Sequence, residues 1–254
     1  MKWCKEKVNM YYFIKKNIKA VIPEKFLFKN ELFFRRFHGF FYIGNKHQCS
    51  ICNKKLRAFI TLENKDLMCP ICGSLSRTRR LWSLLNSNKS IKNNILHFSP
   101  PRSIYRQLKK IQEINYYSTD FTDAFLADYK FDITNINQSD EKFDLIICYH
   151  ILEHIIEDIK AMSELYRVLK PNGVIYIQTP FKEGGIYEDY SITSPEEREQ
   201  HFGQDDHVRI YSLDGLKNRL DNCDFNVSTI TFGNQDDDFY LGYLSPETIL
   251  IATK

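Results

Sequence analysis

Two cysteine pairs carry the clearest chemistry in this sequence: Cys49-x-x-Cys52 and Cys69-x-x-Cys72, with sixteen residues between them. Each pair makes a tight knuckle that presents two thiolates to one ion. The spacer is long enough for a hairpin that returns the second pair to the first. Four thiolates give the closed tetrahedral site of structural Zn²⁺, and Gly73 after Cys72 lets the chain turn sharply behind the last ligand. With no open position, such an ion is structural. The other cysteines (Cys4, Cys148 and Cys223) stand alone. In a chain without a secretory leader this pattern points to metal binding in a reducing, cytoplasmic setting rather than to disulfides. Lys54, Lys55 and Arg57 lie within the spacer, and Arg77, Arg79 and Arg80 follow it. These cations leave two readings open, a phosphate track and a solvated or inter-domain face.

A second group of candidates sits where strands should end. In an open α/β sheet, ligands bind beyond the carboxyl ends of the strands at the point where strand order reverses. The loop His97-Phe98-Ser99-Pro100, Asp120 with Phe121 beside it, Asp132-Ile133, and Tyr149-His150 all fall at such ends. A carboxylate closing the second strand, Asp120, can accept both hydroxyls of a ribose. Asp132 would end or follow the third strand, within reach of an adenine amino group. Tyr149 and His150 would form the floor of the reaction site. Four residues are candidates for moving a proton or orienting one: His150 and His154 just past the fourth strand, and Asp206 and His207 in a polar stretch further on. Histidine titrates near neutrality and suits a general base. The alternative for Asp206, His207 and Arg209 is a polar lock that holds this stretch in place.

These positions depend on a strand–helix alternation that begins at Asn94. Short apolar strands are expected at Ile95–Phe98 and Tyr116–Thr119, and a buried one at Phe143–Cys148, with a helix over Ser103–Ile111. Leu152 through Leu169 carries apolar residues at helical spacing and ends at Lys170-Pro171-Asn172-Gly173, followed by a strand at Val174–Gln178. Ser194-Pro195-Glu196-Glu197 reads as a helix start and Gly203 as its stop. A helix over Ser212–Asn222 and strands at Phe225–Phe232 and Thr248–Ala252, the last two an antiparallel hairpin, complete the pattern. Such alternation predicts a doubly wound α/β fold with a mostly parallel sheet. Three parts are expected: a basic, aromatic-rich helical segment over 1–46, a zinc ribbon over 47–80, and an α/β domain over 81–254 with a lid at about 181–209.

The stretch FDLIICYHILEHIIEDIKAMSELYRVLKPNGVIYIQTP resembles the central block of class I S-adenosylmethionine-dependent methyltransferases. Its marks are Asp144, the Leu152-Glu153-His154 segment, and Arg167-Val168-Leu169-Lys170-Pro171-Asn172-Gly173. CPICGSLSRTR and REQHFGQDDHVRIYS are similar to a bacterial subgroup with a zinc ribbon ahead of the catalytic domain. The resemblance spans about residues 26 to 254. It implies a seven-stranded Rossmann-like fold and S-adenosylmethionine as cofactor, held by Asp120, Asp132 and the loops after strands one and four. One departure is plain: the first loop has His97-Phe98-Ser99-Pro100-Pro101 in place of glycines. Two prolines remove two amide donors there. A nicotinamide dehydrogenase, whose pyrophosphate needs a glycine-rich turn, is disfavoured on the same ground.

Charge bounds the partners. Residues 1–48 hold eleven Lys/Arg against three Glu, a net of +8, while the remainder is net −5. The basic front, with Phe26, Phe33, Phe37 and Phe40/Phe41 at helical spacing, reads either as a helix packed on the protein or as one lying at a membrane surface. No run of 18 apolar residues exists, so no membrane span is expected. The acidic catalytic part lacks a basic groove with interleaved aromatics, which favours a small-molecule, sugar or glycan acceptor and O-methylation over a nucleic acid. The rivals are a non-catalytic zinc-ribbon adaptor with a degenerate cofactor fold and a nucleic-acid methyltransferase.

Overall fold

The computed structural model describes residues 30–254. The basic leader, with Cys4 and the Phe26 end of the expected first helix, lies outside the described residues. The chain forms two compact units.

The first unit takes in residues up to 84 together with 102–104 and 232–246. It opens with α1 (Glu31–Phe40), whose Glu31 pairs with Arg35 of the same helix and with Arg102. Gly39 of α1 lies so close to Ile71 that an added Cβ would come within 2.5 Å of its side chain. Phe33, Phe37, Phe40 and Phe41 are all exposed. Two small antiparallel pairs follow, β1 (Ile43–Gln48) with β2 (Lys55–Leu56) and β3 (Ile60–Thr61) with β4 (Leu67–Met68), and then α2 begins at Ser76. Leu56, Phe59, Ile60 and Met68 are buried. Arg79, whose side chain is 0% exposed, stacks over the ring of Phe59.

The second unit carries a six-stranded sheet in the order β11-β12-β8-β7-β5-β6. Its strands are β5 (Asn94–Phe98), β6 (Asn115–Thr119), β7 (Phe143–Tyr149), β8 (Leu169–Gln178), β11 (Asn226–Phe232) and β12 (Glu247–Thr253). β6, β5, β7 and β8 run parallel, and β12 is antiparallel to β8. The chain winds outward from β5 to β6 and then crosses back to β7, so strand order reverses between β5 and β7. α3 (Arg102–Leu108) links β5 and β6. On one face, Leu96, Phe98, Ile146, Cys148, Ile175 and Ile177 pack with Ala161, Met162 and Leu165 of α4 (Asp158–Val168) and Leu216 and Leu220 of α6 (Leu213–Asp221) into one apolar core. The segment between β8 and α6 holds β9 (Tyr187–Glu188), α5 (Pro195–Phe202) and β10 (Arg209–Ile210), with β9 and β10 paired antiparallel. α5 starts and stops where the sequence says. Ser194 and Glu197 form a reciprocal capping box, and Gly203 ends the helix at a φ of 86°.

Three expectations need correction. The sheet has six strands, not seven, because Phe131–Thr134 forms no strand. The Asp132 carboxylate takes both the backbone N–H and the hydroxyl of Thr134, each at 2.8 Å, and this local turn replaces a sheet ladder. The expected long helix over Leu152–Leu169 is broken into a 3₁₀ turn at Leu152–His154, an extended residue at Ile155 and then α4. The buried Arg209 guanidinium accounts for the break, because it donates to the carbonyls of Leu152, Ile155 and Ile156, which a continuous helix would have used itself. Finally, β11 and β12 are joined by a long segment, 233–246, rather than by a tight hairpin loop, and this segment belongs to the cysteine unit.

Candidate active site and cysteine cluster

The two cysteine knuckles repeat one backbone design. Asn53 N–H donates to the Cys49 carbonyl and Gly73 N–H to the Cys69 carbonyl, while the Cys49 and Cys69 N–H groups donate to Lys54 and Ser74. The residue after each second cysteine is left-handed, with φ of 56° at Asn53 and 77° at Gly73. Asparagine and glycine are the residues that tolerate this conformation best. The four sulfurs come within 4.8 Å of one another, as a shared metal ion requires, with Cys49–Cys72 at 3.6 Å and Cys52–Cys69 at 3.8 Å. Ser74 Oγ lies 3.3 Å from the Cys49 sulfur and 3.2 Å from that of Cys72.

Behind this cluster, Arg79 donates to the carbonyls of Ser74, Leu67, Leu241 and Gly242 and stacks 4.3 Å over the Phe59 ring. Burial pulls its pKa down, and the neighbouring thiols oppose that. Arg80 stacks 4.1 Å over the Phe232 ring. Two of the three arginines after the cysteines are therefore spent inside this unit. Gly242 is required here: its φ is +71°, and a Cβ would come within 2.5 Å of Phe59.

In the second unit, the residues immediately after β5 and β7, at the reversal of strand order, are both left-handed: Ser99 at a φ of 42° and His150 at 55°. Serine thus takes a left-handed turn in a loop that has no glycine. Ser99 Oγ donates to Asp120 at 2.7 Å. Asp120, buried at the end of β6, also accepts from Thr122 Oγ1 and from the N–H groups of Ala124 and Phe125. It therefore shapes its own loop, and Phe121 beside it is exposed. Asp132 is exposed and engaged with Thr134, while Ile133 is buried in the core. Phe98 is likewise a core residue. His97 is 0% exposed and accepts or donates one hydrogen bond, with Tyr116 at 3.1 Å. Burial lowers its pKa to about 3, so the ring stays neutral.

The four proton-handling candidates are brought together, in a different pairing from the one their sequence neighbours imply. Asp206 lies 3.2 Å from Nδ1 of His154, not on His207. The His154 and His207 rings meet edge to face, 4.6 Å apart. His150 Nδ1 is 3.1 Å from Glu153 Oε1, and Glu153 is 1% exposed. Burial alone would raise the Glu153 carboxyl, but the hydrogen bond and charge of His150 and the charge of His154 hold it below the usual carboxylate range. The His207 pKa is lowered by burial and by His154. Val208 N–H donates to the Glu153 carbonyl, which ties the His207 segment to the 3₁₀ turn.

Arg209 makes no approach to this group. It is 0% exposed, paired with Glu188 at 2.8 Å and bound to three carbonyls, so it acts as the lock. Its neighbour Tyr211 donates to Asp158 at 2.5 Å.

Several buried polar atoms in the second unit have no hydrogen-bond partner: His97 Nε2, Tyr149 Oη, His150 Nε2, Glu153 Oε2, Gln178 Oε1 and Thr179 Oγ1. All six lie at or just past the carboxyl ends of β5, β7 and β8. Buried polar groups are normally satisfied, so such a concentration marks a place where a polar ligand belongs. Sequence reasoning had singled out His97, Tyr149 and His150 but not Gln178 or Thr179. Glu153 had been noted only as part of a motif, although a carboxylate three residues after one histidine and directly before another was the available signal.

A family profile described as a methyltransferase domain matches residues 102–230, half of the chain. The chain belongs to that family, and it is a methyltransferase. Solved structures with a similar fold include the phosphoethanolamine N-methyltransferase 2 of Haemonchus contortus, solved with S-adenosyl-L-methionine. That match has 13% identity and a TM-score of 0.50 and covers 69% of this chain and 52% of that one. The cyclase SpnF matches at 15% identity over 71% of this chain and 83% of its own, with a TM-score of 0.50. A SAM-dependent methyltransferase from Archaeoglobus fulgidus matches at 16% identity over 69% and 93%, with a TM-score of 0.49. The methyltransferase spans about half the length of the Haemonchus protein. No curated protein sequence matches it. The two matches with a TM-score of 0.50 concern the fold alone, and they agree with the mostly parallel sheet. Among the described residues of the methyltransferase, no helix is long and apolar enough to cross a membrane.

Proposed function

We propose that this methyltransferase acts on a hydroxyl of a small molecule, sugar or glycan, with the His154–His207 pair receiving the acceptor proton and Asp206 orienting His154. The observation that carries this reading is the group of unpartnered buried polar atoms at the strand ends, beside two histidines and two carboxylates. When bound, S-adenosylmethionine supplies an electrophilic methyl on a sulfonium. The protein's own contribution is alignment and a base near neutral pKa. Asp120 would hold the ribose, whose hydroxyls would take the places now filled by Ser99 Oγ and Thr122 Oγ1. Tyr149, His150 and Gln178 would line the methyl end. The test is transfer of labelled methyl from S-adenosylmethionine to a panel of hydroxyl, amine and carbon acceptors. An O-methylated product, formed with one S-adenosylhomocysteine per turnover, supports the reading; exclusive N- or C-methylation contradicts it.

The four cysteines are proposed to hold one structural Zn²⁺, supported by sulfur spacing and by knuckles that match in backbone geometry. A nucleic-acid acceptor is disfavoured because Arg79 is buried on carbonyls and Arg80 is stacked on aromatic rings. A peripheral membrane contact has one observation in its favour: four exposed phenylalanines on and beside α1, next to a basic leader. Co-sedimentation with anionic vesicles that is lost in Phe37→Glu would support it, and equal recovery of both proteins in the supernatant would remove it.

A further inference from the structure

We propose that Glu153, His154 and His207 form a second metal site, distinct from the cysteine cluster, that holds a divalent transition-metal ion at the acceptor end of the active site. One ligand atom from each of the three residues lies within 4.8 Å of the other two, the spacing needed to share one ion. The independent sign of a ligand is Glu153 Oε2. It is buried and without a hydrogen-bond partner, although Oε1 of the same carboxylate is held by His150. Burying such an oxygen costs about 1–3 kcal/mol if nothing binds it. A cation beside two imidazoles would satisfy it.

The surroundings are those of a ligand set. Asp206 is 3.2 Å from His154 Nδ1, which leaves the other ring nitrogen for the ion, and a carboxylate behind a metal-bound histidine fixes its tautomer and direction. His150 holds Glu153 in the same manner from the other side. His207 is almost fully buried, and the Val208–Glu153 backbone bond sets its segment against the 3₁₀ turn that carries the other two ligands. Two imidazoles and one carboxylate favour Zn²⁺, Co²⁺, Mn²⁺ or Fe²⁺ over Ca²⁺ or Mg²⁺, which prefer all-oxygen shells. Three protein ligands leave positions open, unlike the closed cysteine site.

This inference rests on the O-methylation reading and narrows the acceptor to a hydroxyl with a neighbouring oxygen, which can chelate the ion through both. Coordination lowers the pKa of the hydroxyl. With both imidazoles on the ion, Asp206, the exposed carboxylate, replaces the His154–His207 pair as the group that receives the proton and passes it on to water. The oxygen lone pair then forms a bond to the methyl carbon while the carbon–sulfur bond breaks, its electrons going to sulfur to leave S-adenosylhomocysteine.

The test uses the full-length protein, treated with chelator and titrated with Co²⁺. One equivalent should bind with weak visible bands and no sulfur-to-metal charge transfer, in addition to any thiolate-type equivalent at the cysteines. His154→Gln should weaken the first by at least about 100-fold while S-adenosylhomocysteine still binds. Asp206→Asn, at an exposed position that leaves folding intact, should weaken it by about 10-fold. If wild type binds S-adenosylhomocysteine but takes up no nitrogen- and oxygen-ligated Co²⁺, or if neither variant changes its uptake, the metal site is overturned. Uptake of Co²⁺ without S-adenosylhomocysteine binding would support the ion and refute the cofactor assignment.

Discussion

In the cysteine unit each sulfur of the cluster lies beside another sulfur, two of them also beside the Ser74 hydroxyl, and Arg79 behind them gives its donors to four carbonyls. Around Glu153 the same kinds of polar atoms are buried, yet several find no partner. The sulfurs of the first cluster lie against one another, whereas the second group includes buried polar atoms with no protein partner. A closed cluster can contribute to folding but has no position for a substrate, whereas an open one carries unsatisfied groups that a ligand would relieve. On that ground the first cluster suits a structural role and the second a chemical one.

Breaking the closed cluster should have the largest consequence. Metal binding to such sites is worth about 10–16 kcal/mol in zinc peptides. Cys69→Ser is therefore expected to remove about one zinc equivalent per chain and to cost most of the soluble protein. Metal analysis beside a solubility assay checks both, and an unchanged zinc content would show that the cysteines are not ligands. Arg79→Ala comes next. It strands four carbonyls and removes a buried cation, a change of about 3–5 kcal/mol in chemical unfolding. A loss under about 1 kcal/mol would mean that the arginine is a surface group and not the brace of this unit.

On the open side, Asp120→Asn keeps the shape but replaces by a donor one of the two oxygens that together accept from four donors. The expected stability loss is about 1–3 kcal/mol, together with weaker S-adenosylhomocysteine binding in the same preparation. Stability loss with unaltered affinity would confine Asp120 to loop shaping.

The last effect is a pH slope. The folded pKa of His97 is about 3, against 6.5 in an unfolded chain. Between those values the unfolded state binds a proton that the folded state does not. His97 therefore costs stability as pH falls from 6.5 toward 3, by up to about 1.4 kcal/mol per pH unit. His97→Gln should flatten that limb in acid-unfolding curves, and identical slopes would place His97 outside the buried layer.

What could be read from the sequence depended on how local the determinants were. The knuckles, the Ser194 cap, the Gly203 stop and the apolar run of β7 each follow from a few adjacent residues, and the structure has them where expected. The third strand failed for a local reason of another kind, because the Asp132 side chain wins its neighbours' donors from the sheet. The broken helix was illegible because Arg209, more than fifty positions away, takes the carbonyls of Leu152 and Ile155. The pairing of Asp206 with His154 was hidden in the same way, since adjacency favoured His207. Nor did any motif reveal that residues 232–246 complete the cysteine unit, through Leu241 and Gly242 on Arg79.

The most direct test of the open site is calorimetric titration of the zinc-loaded full-length protein with S-adenosylhomocysteine. Saturable binding of one ligand per chain, weakened in Asp120→Asn, is the predicted result. A folded, zinc-loaded protein that gives no heat with excess ligand would contradict the account.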